Sequence, residues 1–274
     1  AMSRVLTIAG RRIAAGKRES INIPVAHLYT HTEMTMPVHV LRGKKDGPRL
    51  FVCAAVHGDE IIGVEIIRRL LRKKYIRQIK GTLIAVPVVN VYAFVQHSRY
   101  SPDRRDLNRF FPGSEKGSLT SRLADTFMEA IVKGSHYGID LHAGSNHRAN
   151  LPQIRADIED PETLRLARAF QVPVVINAAT RDGSLRQAAA EEGVCSLLYE
   201  GGEALRSNEL AIRAGLRGVL AVMTAVGMLR APRKSKPPID PLIADSTSWV
   251  RAPISGILHM TSLLGGRVAK NARI

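Results

Sequence analysis

The sequence is short of cysteine and aromatics and has no long apolar run, and each shortage excludes something. Of 274 residues only two are cysteine. Cys53 and Cys195 lie within apolar runs that read as buried strands, so they fit small core residues better than a disulfide, and a reducing, cytoplasmic compartment is expected. Aromatics make up 5% of the chain, too few for a platform on which nucleic-acid bases stack. No segment approaches the ~20 uninterrupted apolar residues of a membrane span, and the N-terminal stretch lacks a signal-peptide core. Acidic residues are also scarce: 24 against 40 Lys and Arg, for a net charge of +16. The basic residues are spread along the chain without a nucleic-acid motif, which suits a basic solvated surface or an acidic substrate. Neither a nucleic-acid nor a membrane partner is expected.

What is present is alternation. With 45% hydrophobic residues, the chain can bury a core of domain size. Residues 37–58 read as two extended runs separated by the turn Gly43–Pro48, and residues 81–90, 137–144, 172–179 and 194–202 are further short β-rich runs. Between them, residues 61–71, 118–134, 161–171 and 208–229 carry helical periodicity. Such alternation predicts an α/β fold whose sheet is covered on both faces. The spacing places one domain over residues 1–230, with an N-terminal β segment over 1–47, a proline-rich and charged linker over 231–248, and the start of a small β module over 249–274. That last segment is too short for a self-standing β domain.

The chemistry collects where apolar runs stop. The run from Phe51 ends at His57, with Glu60 three residues on, and a second run ends at His142. In open α/β sheets ligands gather at the carboxyl ends of strands. Two histidines and a glutamate around an open fourth position form a hydrolytic zinc arrangement. A lone H-x-x-E arises often by chance; the weight comes from its position and from the second strand-end histidine. The segment 98–113 is either a solvated loop or a cluster of guanidinium and amide groups pinned by Phe110 and Phe111, able to grip a carboxylate through Arg104, Arg105, Asn108 or Arg109. A third apolar run, Cys195 to Tyr199, delivers Glu200 into a glycine turn at the sheet edge as a candidate general base. Glu203 competes with it but reads better as a capping or surface group.

The stretches VHGDE (56–60), DLNRFFPG (106–113), DLHAG (140–144) and LYEGGE (198–203) resemble, in order and spacing, the succinylglutamate desuccinylase/aspartoacylase family, relatives of the zinc carboxypeptidases. The resemblance covers roughly residues 40–230. It implies a carboxypeptidase-like mixed sheet with helices on both faces, Zn²⁺ as cofactor, and His57, Glu60 and His142 as its ligands. It implies further that Asp106 orients the first histidine, that Asn108 and Arg109 bind the substrate's carboxylate, and that Arg99 polarises the scissile carbonyl, with Arg104 or Arg105 as substitutes. Glu200 matches the general base. The implied reaction is hydrolysis of the amide bond of a small N-acyl amino acid by metal-activated water. A zinc carboxypeptidase and a non-catalytic basic binding module are the alternatives, and a homo-oligomer is compatible with the sequence. The final residues resemble the first part of the barrel-sandwich module that follows the family's catalytic domain, and residues around 145–155 and 178–190 are expected to set specificity.

Overall fold

In the computed structural model, which describes residues 6–146, 148–231 and 239–273, the alternation becomes one large mixed sheet. Strands β1 (Leu6–Ile8) and β2 (Arg11–Ile13) form a small antiparallel pair of their own. The large sheet contains β3 (Arg18–His27), β4 (Glu33–Arg42), β5 (Lys45–Ala54), β6 (Lys80–Val86), β7 (Tyr137–Gly144), β8 (Asn150–Ala156), β9 (Val174–Asn177), β10 (Cys195–Glu203) and β11 (Leu242–Ala244). Their spatial order is β11-β9-β8-β10-β7-β5-β6-β4-β3. The centre, β10-β7-β5-β6, is parallel, whereas β8 runs antiparallel to β10 and β4 antiparallel to β6. The central strands are buried on both faces, which is why the stretch Leu50–Ala54 is apolar at every position instead of alternating.

Helices cover both faces, as the alternation predicts. On one side α1 (Ile62–Arg72), α4 (Pro161–Ala169) and α6 (Glu209–Ala225) bury Ile62, Ile66, Ile67, Leu166, Ile212 and Val219 against the sheet. On the other, α2 (Val91–Val95), α3 (Leu119–Phe127) and α5 (Leu185–Glu191) pack Tyr92, Leu123, Phe127, Leu185 and Ala188 into a second core with Phe51 and Val86. The helix starts are written locally. Ser118, Asp160, Ser184 and Asn208 each accept a hydrogen bond from a backbone N–H in the first turn, satisfying donors that the helix itself leaves free.

Several expectations change. The run 194–202 does not lie at a sheet edge: β10 is an interior strand, flanked by β8 and β7, and it continues through Glu203. The segment 231–248, where the composition predicts a linker, contains β11, which adds parallel to β9, with the Leu242 N–H donating to Pro173 O at 2.9 Å. Beyond β8, β9 has an open edge, and the apolar triplet within a proline-rich context is enough to pair with it. The strands expected over 249–274 are absent among the described residues 249–273, which form bends and turns with Trp249, Ile257 and Leu263 exposed. Strand β3 falls within the expected N-terminal β segment, whereas β8 and α5 are additions to the sequence reading. β8 mixes Asn, Gln and Arg with its apolar residues, and α5 is only two turns long, so neither shows a clear period.

Candidate metal centre

Three segments meet at the carboxyl end of the parallel strands. The first is the loop between β5 and α1. His57 and Glu60 lie in neither element, so the expected direct passage from strand to helix is in fact a bend of several residues. Gly58 is what permits it to sit so close, because a Cβ there would fall 2.0 Å from the backbone carbon of Ala93. The second segment is the end of β7, which carries Asp140 and His142 on one face, two residues apart. The third is β10, whose Glu200 is the register partner of His142 in the adjacent parallel strand.

The triad converges on one carboxylate. His57 Nδ1 lies 2.8 Å from Glu60 Oε1, and His142 Nδ1 lies 2.7 Å from Glu60 Oε2. One ligand atom from each of the three residues falls within 4.8 Å of the others, and all three side chains are buried. Each imidazole turns its other nitrogen to a second carboxylate: His57 Nε2 to Asp106 Oδ1 at 3.0 Å, and His142 Nε2 to Asp140 Oδ2 at 2.8 Å. This is the arrangement in which metal-binding histidines are held, with the far nitrogen donating to a carboxylate and the near nitrogen presenting its lone pair.

The electrostatics ask for a cation. Burial lowers the histidines' affinity for protons, but Glu60 with Asp106 outweighs this at His57, and Asp140 with Glu60 does so at His142, so both are drawn upward from 6.5. Burial works against the charge on Glu60 too, yet the facing imidazoles hold its carboxyl low. Asp106 is likewise held low, against burial, by His57 and Arg99. Three buried or half-buried carboxylates thus surround two imidazoles. Two neutral imidazole nitrogens and a carboxylate oxygen suit a divalent cation of the zinc type, which would replace the protons this cluster otherwise attracts.

Asp140 is not among the residues that the sequence singles out. Its signal was legible, since a carboxylate two residues before a strand-end histidine must share its face. Its other oxygen, Oδ1, accepts from the buried Cys53 thiol at 3.4 Å.

Arg99 reaches the triad: Nη2 donates to Asp106 Oδ2 at 2.9 Å and Nη1 lies 3.5 Å from Glu60 Oε1. The proposed substitutes do not join it. Arg105 sits over the Phe110 ring, 5.4 Å from its centroid, and faces Asp103, while Arg104 is exposed. Asn108 is buried and its Oδ1 accepts from the Leu185 N–H at 2.9 Å, tying the DLNR segment to the start of α5. Arg109 is exposed and donates from Nη1 to Asn108 O at 2.5 Å.

Glu200 is pushed up to about 7, first by burial and further by the charge of Glu60, with His142 pulling the other way. Its Oε2 accepts from Asn150 Nδ2 at 2.8 Å, so the first residue of β8 orients it. Glu203, by contrast, pairs with Arg206 at 3.6 Å beyond the bulge in β10.

Comparison with known proteins agrees with the resemblance in the motifs. Residues 46–226 match the model of the succinylglutamate desuccinylase/aspartoacylase catalytic domain. Over 247 residues the chain is 28% identical to an N-alpha-acetyl-L-2,4-diaminobutyric acid deacetylase of Halomonas elongata, covering 86% of this chain and 71% of the relative. Among solved structures, a succinylglutamate desuccinylase/aspartoacylase from Rhodobacter sphaeroides superposes with a TM-score of 0.72 at 26% identity, over 84% of this chain and 70% of that one. The product-bound ectoine utilization protein of Ruegeria pomeroyi shares the fold, with a TM-score of 0.73 at 24% identity over 84% of this chain and 71% of its own.

Proposed function

The chain belongs to the succinylglutamate desuccinylase/aspartoacylase family, and from that premise we propose that it is a zinc-dependent hydrolase that cleaves the amide bond of a small N-acyl amino acid. The observation that carries this reading is the convergence of His57 and His142 on Glu60, each imidazole backed by a further carboxylate. Zinc held by these three residues would supply Lewis acidity, polarising a carbonyl and bringing the pKa of a water toward neutrality.

The chain's own groups do the rest. Glu200, on the strand beside His142, is placed to take a proton from the attacking water and return it to the departing amine; burial brings its pKa into the range where it can do both near neutral pH. Arg99, beside the triad, donates to the carbonyl oxygen as negative charge develops there. The amide of Asn108 and the guanidinium of Arg109 hold the free carboxylate of the amino acid, with Asn108 fixed in place by its bond to α5. Asp106 and Asp140 keep the two imidazoles aimed. The similarity to an N-alpha-acetyl-diaminobutyric acid deacetylase makes acetyl-amino acids the first substrates to try.

The test is a hydrolysis panel of acetyl-, succinyl- and formyl-amino acids, with short peptides alongside, scored by released amine on protein of measured zinc content. The reading expects one zinc per chain and release of amine from an N-acyl amino acid, abolished by a chelator and restored by added zinc. Cleavage confined to peptides would make the protein a carboxypeptidase. A zinc content near zero, with no turnover after zinc is added, would leave only a binding function.

A further inference from the structure

Ser145, which none of the motifs includes, stands between two arginines at the edge of the metal triad. It follows β7 by one residue, it is buried, and its Oγ accepts from Arg99 Nη1 at 2.8 Å and from Arg148 Nη2 at 3.0 Å. Arg148 also donates from Nε to the Ser145 backbone oxygen at 3.0 Å, so one guanidinium grips both the main chain and the side chain of the same residue. Such a two-point hold leaves the hydroxyl little freedom to rotate.

The consequence falls on Arg99. Its Nη1 lies 3.3 Å from His57 Nδ1 and 3.5 Å from Glu60 Oε1, atoms of two of the three residues that would hold the metal. A guanidinium cation that slid fully onto these lone pairs would occupy them and oppose a divalent cation by like charge. Ser145 Oγ is the nearest partner of Nη1, closer than either ligand atom, and Asp106 Oδ2 holds Nη2 at 2.9 Å. A neutral acceptor on one side and a carboxylate on the other thus hold the guanidinium beside the metal position and out of it.

We infer that Ser145, clamped by Arg148, is a positioning residue that diverts Arg99 from the ligand atoms of Glu60 and His57 and so keeps the triad open to its metal. This rests on reading His57, Glu60 and His142 as the zinc site. It also explains how an arginine needed at a developing negative charge can sit within reach of the ligands without competing for them.

The experiment measures zinc dissociation constants by competition with a chromogenic chelator for the full chain and for Ser145→Ala, Ser145→Thr, Arg148→Gln, Arg99→Ala and the double variant Ser145→Ala/Arg99→Ala. Each protein's fold is checked by circular dichroism. Ser145→Ala should weaken zinc binding by roughly tenfold, the size seen when groups behind metal ligands are removed. Ser145→Thr, which keeps the hydroxyl, should stay near the unaltered protein, and Arg148→Gln should weaken binding by less than Ser145→Ala. In the Arg99→Ala background the Ser145 change should have no effect, because nothing remains to be diverted. Equal weakening in both backgrounds would overturn the inference, since Ser145 would then be merely structural. So would an unchanged constant in Ser145→Ala. Should Ser145→Ala not fold, Arg148→Gln carries the test, and its weakening must likewise vanish without Arg99. If the unaltered chain binds no zinc, the site reading falls and this inference with it; tight binding indifferent to Ser145 and Arg148 overturns the inference alone.

Discussion

At the scale of single residues, the proposed function assigns the metal to one set of groups and the proton to another, and substitutions should separate them. Glu200 sits on the strand next to His142 and is oriented by Asn150. Glu200→Gln keeps the side-chain shape but removes the proton acceptor, so kcat should fall by roughly 10²–10⁴ with zinc content unchanged. Glu203→Gln should leave kcat within about twofold, because a partly exposed ion pair with Arg206 contributes little. Measured turnover and metal content that exchange these two behaviours would move the base to Glu203. Asp140 predicts the opposite pattern. Asp140→Asn removes the negative charge behind His142 Nε2 and should raise the zinc dissociation constant by about 10–100-fold. An unaltered affinity would mean that the Asp140 carboxylate contributes nothing to how His142 holds metal.

At the scale of elements, the site depends on how closely α1 lies on the sheet, since the loop carrying His57 and Glu60 leads directly into it. Gly63 stands in the first turn of α1, and a Cβ there would fall 2.6 Å from Ala54 Cβ and 2.8 Å from Leu141 Cβ. Glycine inside a helix costs about 1 kcal/mol relative to alanine. Forcing a methyl into packed strands costs about 1–3 kcal/mol. With both neighbours on interior strands that have little room to shift, overpacking should win. Gly63→Ala is therefore expected to destabilise the protein by up to about 2 kcal/mol net in a denaturant titration and to weaken zinc binding, by moving the ligand loop. A midpoint at or above that of the unaltered protein would show that α1 has room to lift without cost.

At the scale of the whole molecule, the buried charges link stability to pH. In the metal-free protein His57 and His142 are raised above 6.5 and Glu200 is raised to about 7, each from its ordinary value. A group whose folded pKa is raised contributes stability that is present below its unfolded pKa and is lost as pH climbs through the folded one. The unfolded values are 6.5 for the histidines and 4.5 for the glutamate. Metal-free protein should thus melt at a lower temperature at pH 8 than at pH 6. Zinc should reverse the sign, because at the proposed site it would displace the protons from both imidazoles and so bind more tightly as pH rises. Thermal melts with and without zinc across pH 6–8 would show the two curves diverging; parallel curves would mean that the histidines do not exchange protons for metal. Over a wider range, Glu60 and Asp106 are held low and lose their contribution only in acid, as pH falls through their folded values.

The sequence by itself determined the parts that are local. A buried strand of a parallel sheet must be apolar throughout, so β5, β6, β7 and β10 were visible, and so were α1, α4 and α6 from their periodicity. The ends of those strands marked His57, Glu60, His142 and Glu200, because a polar residue closing an apolar run has few structural reasons to be there. Tertiary structure decided what depends on distance across the chain. Whether Arg99 or its neighbours Arg104 and Arg105 would reach the triad depended on which way the loop folds, and the pairing of Arg99 with Asp106 settles its direction. The Ser145–Arg148 clamp and the hold of Asn150 on Glu200 join residues whose types are common on any surface, so no pattern announces them. β11 belongs to the same class: three residues in a proline-rich stretch become a strand only because β9 offers them an open edge, a property of the assembled sheet and not of the segment.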